Sequence, residues 1–170
     1  PESFRTGLGH DYDSHGCEGA IGIEKSFEPW MRHHLIDTVI PALDGVVEKL
    51  EAGGSVIDIG CGAGGAVLMM AERFPASTFV GYDISEHALD RANERLGESG
   101  LANARFADPR DEAMPVDGSC DLVTTFDCIH DMTRPQEVID SIRRSVAEDG
   151  TWLLVDIKGR STFAENVEKN

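Results

Sequence analysis

The rhythm of hydrophobic positions changes near residue 53. Before it, apolar residues recur at helical spacing: Phe27, Trp30 and Met31, then Leu35, Ile36, Val39 and Ile40, then Leu43, Val46, Val47 and Leu50. Pro41 falls inside this run and predicts a break into two helices, because proline lacks the N–H that a helix interior needs. Gly53-Gly54 predicts the end of the second helix. The residues up to Ile23 are rich in Gly, His, Asp and Ser, show little periodicity, and read as loop. Beyond residue 53, short apolar runs alternate with helical stretches. The runs 55–59, 78–82, 104–107, 121–126 and 151–157 predict strands, and 66–74, 86–96 and 133–146 predict helices. Ser85 is placed to cap the second of these helices, and Asp149-Gly150 reads as a turn.

Strands alternating with helices predict an α/β fold: a doubly wound, mostly parallel sheet with helices on both faces. In such sheets, ligands sit beyond the carboxyl ends of the strands, at the switch point. Residues 1–52 are expected to form a loop and lid or linker helices, and 53–170 the core.

Charge and cysteine content narrow the function. A net charge of −16 with no Lys/Arg run disfavours a surface that tracks nucleic-acid phosphates. No apolar run approaches the roughly 18 residues of a membrane span, and the N-terminus lacks the basic-then-apolar order of a signal peptide. Cys17, Cys61, Cys120 and Cys128 form no C-x-x-C pair and read as reduced thiols of a cytoplasmic protein. His10, Asp11, Asp13, His15 and Cys17 alternate suggestively but lack zinc spacing, so no metal is expected.

The first strand runs into Asp58-Ile59-Gly60-Cys61-Gly62-Ala63-Gly64-Gly65. Glycines there allow a sharp strand-to-helix turn and close approach of a ligand. Gly60, Gly62 and Gly65 also satisfy G-x-G-x-x-G, the dinucleotide fingerprint. Asp58 weighs against that reading. A carboxylate beside the loop would repel a pyrophosphate, whereas it favours a ligand carrying an ammonium and a sulfonium. Asp58 could instead cap the turn or hold the loop. Asp83, after the second strand, is placed to accept hydrogen bonds from a ribose diol. Asp108, after the third, could accept one from an adenine amine, or simply shape a turn before Pro109.

In order and spacing, Asp58-Ile59-Gly60-Cys61-Gly62-Ala63-Gly64, Asp83, Ala107-Asp108 and Met114-Pro115-Val116-Asp117-Gly118-Ser119-Cys120-Asp121-Leu122-Val123 resemble the class I S-adenosylmethionine-dependent methyltransferases. The resemblance runs from Leu50 to about Lys158. It implies S-adenosylmethionine as cofactor and S-adenosylhomocysteine as product. It implies that Gly60 to Gly64 pack against the methionine part, that Asp83 binds the ribose, and that Ala107-Asp108 border the adenine. Cys61, Ile84 and Phe126 complete the expected cofactor-binding set.

The segment Phe126-Asp127-Cys128-Ile129-His130-Asp131-Met132 resembles that of a bacterial subgroup in which a winged-helix-like dimerising domain precedes the core. The Asp11-Tyr12-Asp13 loop with Gly19, and the Trp30 helix, resemble its linker and lid. The family's sheet ends in an antiparallel strand pair, which is missing here, and the chain starts at Pro1. Both predict a piece of a longer protein, with any homodimer formed through segments outside this chain.

His130 is the candidate general base, since its ordinary pKa suits proton removal near neutrality. Asp127 or Asp131 could orient it or hold the acceptor. Equally, His130 could only position ligand, because methyl transfer needs little beyond proximity. Tyr12 and Trp30 could line an acceptor pocket, although Trp30 fits helix packing better. The expected function is methyl transfer to a small-molecule acceptor. The alternative is a regulatory module that binds the cofactor without chemistry.

Overall fold

In a computed structural model of the protein, residues 2–7, 9 and 12–168 are described. The expectations for His10 and Asp11 lie outside them. Five strands form the sheet: β1 (Ser55–Ile59), β2 (Thr78–Tyr82), β3 (Ala104–Ala107), β4 (Cys120–Phe126) and β5 (Val146–Val155). They lie in the order β3-β2-β1-β4-β5, with every neighbouring pair parallel. The winding reverses between β1 and β4, so the switch-point crevice opens at their carboxyl ends.

The helices are α1 (Glu2–Thr6), α2 (Gly16–His34), α3 (Val46–Ala52), α4 (Gly65–Arg73), α5 (Glu86–Ser99), α6 (Pro135–Ser145) and α7 (Phe163–Glu168). Side chains alternate across a strand, and the alternation divides the core in two. Val56, Phe79 and Leu122 pack on one face with Leu50, Val67 and Met70 of α3 and α4. Ile57, Ile59 and Val123 pack on the other with Ile142 of α6 and the partly buried Trp152. Each fully buried side chain of this size contributes about 1.5–3 kcal/mol relative to exposure. Among the described residues, no helix is long and apolar enough to cross a membrane.

The first three strands and the Ser85 cap fall where the sequence places them, β4 starts one residue early, and β5 ends at Val155 rather than at Ile157; the Ser85 hydroxyl accepts from the Ala88 N–H at 3.2 Å. Three expectations need correction. The N-terminal loop is helical: α2 begins at Gly16. Its glycines lower intrinsic helix propensity, but ion pairs to α5 hold it down. The break near Pro41 starts earlier, as a π-helical turn at Leu35–Val39 followed by a 3-10 turn at Ile40–Ala42. Asp149-Gly150 lies inside β5, which starts at Val146. Pairing jumps from Cys120 with Val146 to Leu122 with Thr151, so the turn is a bulge within one strand.

Asn103, just before β3, ties this edge of the sheet to α4. Its amide donates to the carbonyls of Ala71, Phe74 and Ser77 at 3.0, 3.3 and 3.1 Å. Two of these serve the end of α4, where carbonyls lack intrahelical partners. Asn103→Ala is expected to lower stability by about 1–3 kcal/mol, read as a fall in the urea midpoint at constant slope.

Candidate functional site

After β1 the backbone turns three times through left-handed conformations, at Gly60 (φ 71°), Gly62 (φ 53°) and Gly64 (φ 75°). The turn hangs on the end of β2. The N–H groups of Gly60 and Cys61 both donate to the Tyr82 carbonyl, at 2.8 and 3.0 Å. The Gly62 N–H donates to Asp83 Oδ2 at 2.8 Å, while Asp83 Oδ1 accepts from the Ser85 N–H at 2.9 Å. The carboxylate that holds the loop is therefore Asp83. Asp58 instead accepts from the Thr124 hydroxyl at 2.6 Å.

The three glycines differ in purpose. A Cβ on Gly60 would stand 2.7 Å from Cys128 Cβ, and one on Gly64 would stand 2.4 Å from the Phe106 ring. Those two positions admit neighbours. A Cβ on Gly62 would meet nothing within 4 Å, so this glycine borders open space and leaves its backbone approachable.

An aspartate stands at the carboxyl end of every strand. Asp58 is the penultimate residue of β1, and Asp83, Asp108, Asp127 and Asp156 directly follow β2 to β5. Their environments differ. Asp58 is 2% exposed; burial pushes its carboxyl up to about 7, with the Thr124 hydrogen bond opposing and the Asp83 charge adding. Burial also raises Asp83, against the hydrogen bonds from Ser85 and Gly62. Asp108 is held low by Arg110, whose guanidinium grips it and donates to the Ile84 carbonyl at 2.7 Å. In this conformation Asp108 already has a cationic partner.

A cavity of about 200 Å3 opens at the switch point. Asp58, Gly60, Cys61 and Gly62 form its floor; Tyr12, Phe27, Glu28 and Met31 roof it; Phe126, Asp127, His130 and Asp131 close one end. Gly64, Asp83, Ile84, Ala107 and Asp108 lie outside this lining, and Trp30 packs against the core instead. The cavity is smaller than the 300–1,000 Å3 usual for a drug-sized ligand. Ile84, about half exposed, stands on the open edge outside it. A larger depression of about 530 Å3 lies on the outer surface of α6, lined by residues of that helix alone, and gathers no converging chemistry.

The roof is pinned by ions. Arg95 of α5 donates to Glu28 at 3.0 Å and to the Ala63 carbonyl at 2.9 Å, and Arg91 donates to Glu24 at 2.9 Å. Asp13 accepts from the Ser85 hydroxyl at 2.5 Å and the Glu86 N–H at 3.1 Å. Together they fasten the N-terminal segment along α5, Asp13 at its start and Glu24 and Glu28 further on, which the sequence reading of a loop did not foresee.

At the end of β4, Asp127 adopts φ 53°, the left-handed region that Asp tolerates better than most residues. Its N–H donates to the Val155 carbonyl at 2.8 Å. His130 follows in a 3-10 turn, and its Nδ1 lies 2.6 Å from Asp156 Oδ1. Asp127 is 3.9 Å from the same nitrogen, and Asp131 is 3.5 Å from Nε2. The partner hydrogen-bonded to His130 is thus Asp156 rather than Asp127 or Asp131. Asp156 raises the His130 pKa first by this hydrogen bond, and the charges of the three aspartates add to it. Sequence reasoning missed Asp156, although its place after an apolar strand was the available signal. Burial and nearby carboxylates push the Cys128 thiol up to about 12, and its Sγ donates to the Ile59 carbonyl at 3.2 Å.

Comparison with known proteins bears on the family and the fold. Residues 50–170 match the family described as "Methyltransferase domain". The uncharacterized methyltransferase YcgJ of Bacillus subtilis is 29% identical over 102 residues, covering 59% of this chain and 40% of YcgJ. Its crystal structure superposes with a TM-score of 0.56 at 28% identity, over 62% of this chain and 45% of that one. The ubiquinone biosynthesis O-methyltransferase of Thiobacillus denitrificans is 32% identical over 111 residues, covering 65% of this chain and 47% of the relative. The chain spans less than half the length of these relatives. A putative S-adenosylmethionine-dependent methyltransferase of Methanococcus maripaludis shares the fold, with a TM-score of 0.63 at 16% identity over 86% of this chain and 66% of its own. The chain belongs to the methyltransferase domain family, the S-adenosylmethionine-dependent enzymes that its glycine loop and strand-end aspartates resemble.

Proposed function

We propose that this chain is the cofactor-binding part of a methyltransferase that acts on a small molecule. The observation that carries the reading is the run of carboxylates at the strand ends around the glycine turn, which suits a cationic ligand and would repel a pyrophosphate. S-adenosylmethionine carries an ammonium and a sulfonium, and supplies a methyl group already activated for displacement. The residues present fit it. Buried Asp58 and the open backbone at Gly62 suit the cationic methionine end. Each Asp83 oxygen accepts one backbone N–H, and a carboxylate has about four acceptor sites, so capacity remains for a ribose diol. Ile84 and Ala107 border the place for adenine, and Arg110 must yield if Asp108 is to meet its amine.

Phe126, Asp127 and His130 then face the transferable methyl. Enclosure by α2 excludes water and holds an acceptor near it. The net charge of −16 argues against a nucleic-acid acceptor, and the small molecules implied by relatives such as the ubiquinone enzyme favour a similar class. Four free cysteines fit a reducing cytoplasm. A cofactor sensor without chemistry would share the loop and Asp83, but has no use for the His130–Asp156 pair.

Calorimetry with S-adenosylmethionine, S-adenosylhomocysteine and NADH tests the reading. The first two are expected to bind and NADH is not. Asp83→Ala is expected to weaken binding by roughly tenfold or more, the worth of about 1.4 kcal/mol of lost hydrogen bonding. Binding of NADH in preference would overturn the assignment.

A further inference from the structure

We propose that Asp156 is a positioning residue that fixes the tautomer of His130, so that Nε2 is the nitrogen available to take the acceptor's proton. The inference rests on the methyltransferase reading for its purpose, but its geometry stands alone. Nδ1 of His130 and Oδ1 of Asp156 are 2.6 Å apart, slightly shorter than the roughly 2.7–2.9 Å of a charge-assisted N–H···O hydrogen bond. Asp156 is itself held: the Ile157 N–H donates to the same oxygen at 2.7 Å. Its side chain is 18% exposed against 33% for His130, so the orienting group is the more enclosed of the two. Asp156 follows β5 and His130 follows β4, so the bond joins the ends of two adjacent strands.

A carboxylate can only accept. Neutral His130 therefore carries its proton on Nδ1, and the lone pair lies on Nε2. At the cavity end that His130 and Asp131 line, Nε2 lies 3.5 Å from Asp131, beyond a good hydrogen bond. In the step this arrangement serves, the acceptor's proton passes to Nε2. The acceptor's electron pair forms the new bond to carbon, and the carbon–sulfur pair leaves with sulfur as a neutral thioether. The imidazolium that results is stabilised by Asp156 directly, and by the charges of Asp127 and Asp131. The same charges raise the His130 pKa, so the base becomes available only above an elevated pH.

A bound cation is the rival occupant. Asp127, His130 and Asp156 each bring one ligand atom within 4.8 Å of the others. Two ligands bonded to tetrahedral zinc at about 2.1 Å stand about 3.4 Å apart. The 2.6 Å Nδ1–Oδ1 separation is closed on a proton instead.

Nitrogen-15 NMR of histidine-labelled protein, followed through the His130 titration, tests the proposal without any acceptor. The wild-type neutral ring is expected as the Nδ1–H tautomer. Asp156→Asn is expected to lower the His130 pKa and shift the ring towards the Nε2–H form, while Asp127→Asn leaves the tautomer unchanged. A wild-type ring in the Nε2–H form overturns the proposal, with no variant needed. So does displacement of the Nδ1 proton by stoichiometric Zn2+. Calorimetry of S-adenosylhomocysteine reads the methyltransferase assignment separately: intact binding with the wrong tautomer removes Asp156 alone, and lost binding with the right tautomer removes the assignment instead.

Discussion

Gly64→Val is expected to destabilise the protein by about 2–5 kcal/mol, and to carry loss of cofactor binding with it. Two costs add. The residue sits at φ 75°, which costs an L side chain roughly 1–2 kcal/mol and more when it is β-branched. A Cβ there would stand 2.4 Å from Cζ and 2.7 Å from Cε1 of Phe106, and 3.2 Å from the buried Ala92 Cβ. Forcing such overlap in a packed core costs about 1–3 kcal/mol. A Cβ at Gly81 of β2 would also meet the Phe106 ring at 2.6 Å, so Phe106 is seated on two glycines at once. A total of this size is a large part of the roughly 5–15 kcal/mol of a whole domain. The urea midpoint reads it directly, and an unchanged midpoint would show that Phe106 swings clear. Gly62→Ala is the informative control. Its Cβ meets nothing, so only the left-handed backbone at φ 53° costs it, about 1–2 kcal/mol; it should lose less stability than Gly64→Val while weakening S-adenosylhomocysteine binding by filling space the ligand needs.

The strands were legible in the sequence because their apolar runs are short and bounded by glycine or aspartate. The residues of β1, β2 and β3 match expectation residue for residue. The glycine loop was legible because its spacing is dictated by local backbone geometry. What stayed hidden depends on partners remote in sequence. Helix α2 was read as loop up to Ile23, since Gly16, Gly19 and Gly22 conceal the spacing of Ala20, Ile23 and Phe27. What holds it is the pairing of Glu24 and Glu28 with Arg91 and Arg95, about 67 positions away. Asp156 was hidden for the same reason: its partner His130 lies 26 residues earlier, on another strand end. The division of labour between Asp58 and Asp83 also reversed. Loop-holding was an alternative expected of Asp58, while Asp83 was expected at the ribose; the register of β1 against β2 brings Asp83 to the Gly62 N–H.

That reversal leaves Asp58 free to act through its charge, and the effect should appear as a pH dependence. Unfolded, its carboxyl ionises near the ordinary value of 3.8; folded, it does so at about 7. Between these values the folded chain holds one proton more than the unfolded chain, so stability falls as pH rises. Across the whole window the loss from this group is about 4 kcal/mol at roughly 1.36 kcal/mol per pH unit. It is absent below pH 3.8 and complete above about pH 7. Glu24, Asp13 and Asp108, held low by their hydrogen-bond partners, work in the opposite direction. The clean measurement is therefore a difference. Asp58→Asn cannot ionise and keeps an oxygen for the Thr124 hydroxyl. Its stability relative to wild type is expected to rise through the window and to be level on either side. A difference that stays flat with pH would mean that Asp58 is ionised in the folded protein throughout. The same proton links stability to ligand. A cation beside Asp58 favours the carboxylate, so S-adenosylmethionine binding within the window should release a proton. Calorimetry in buffers of different ionisation enthalpy would detect that release in wild type and not in Asp58→Asn. The site thus trades folded stability near neutral pH for a carboxylate that only a cationic ligand completes.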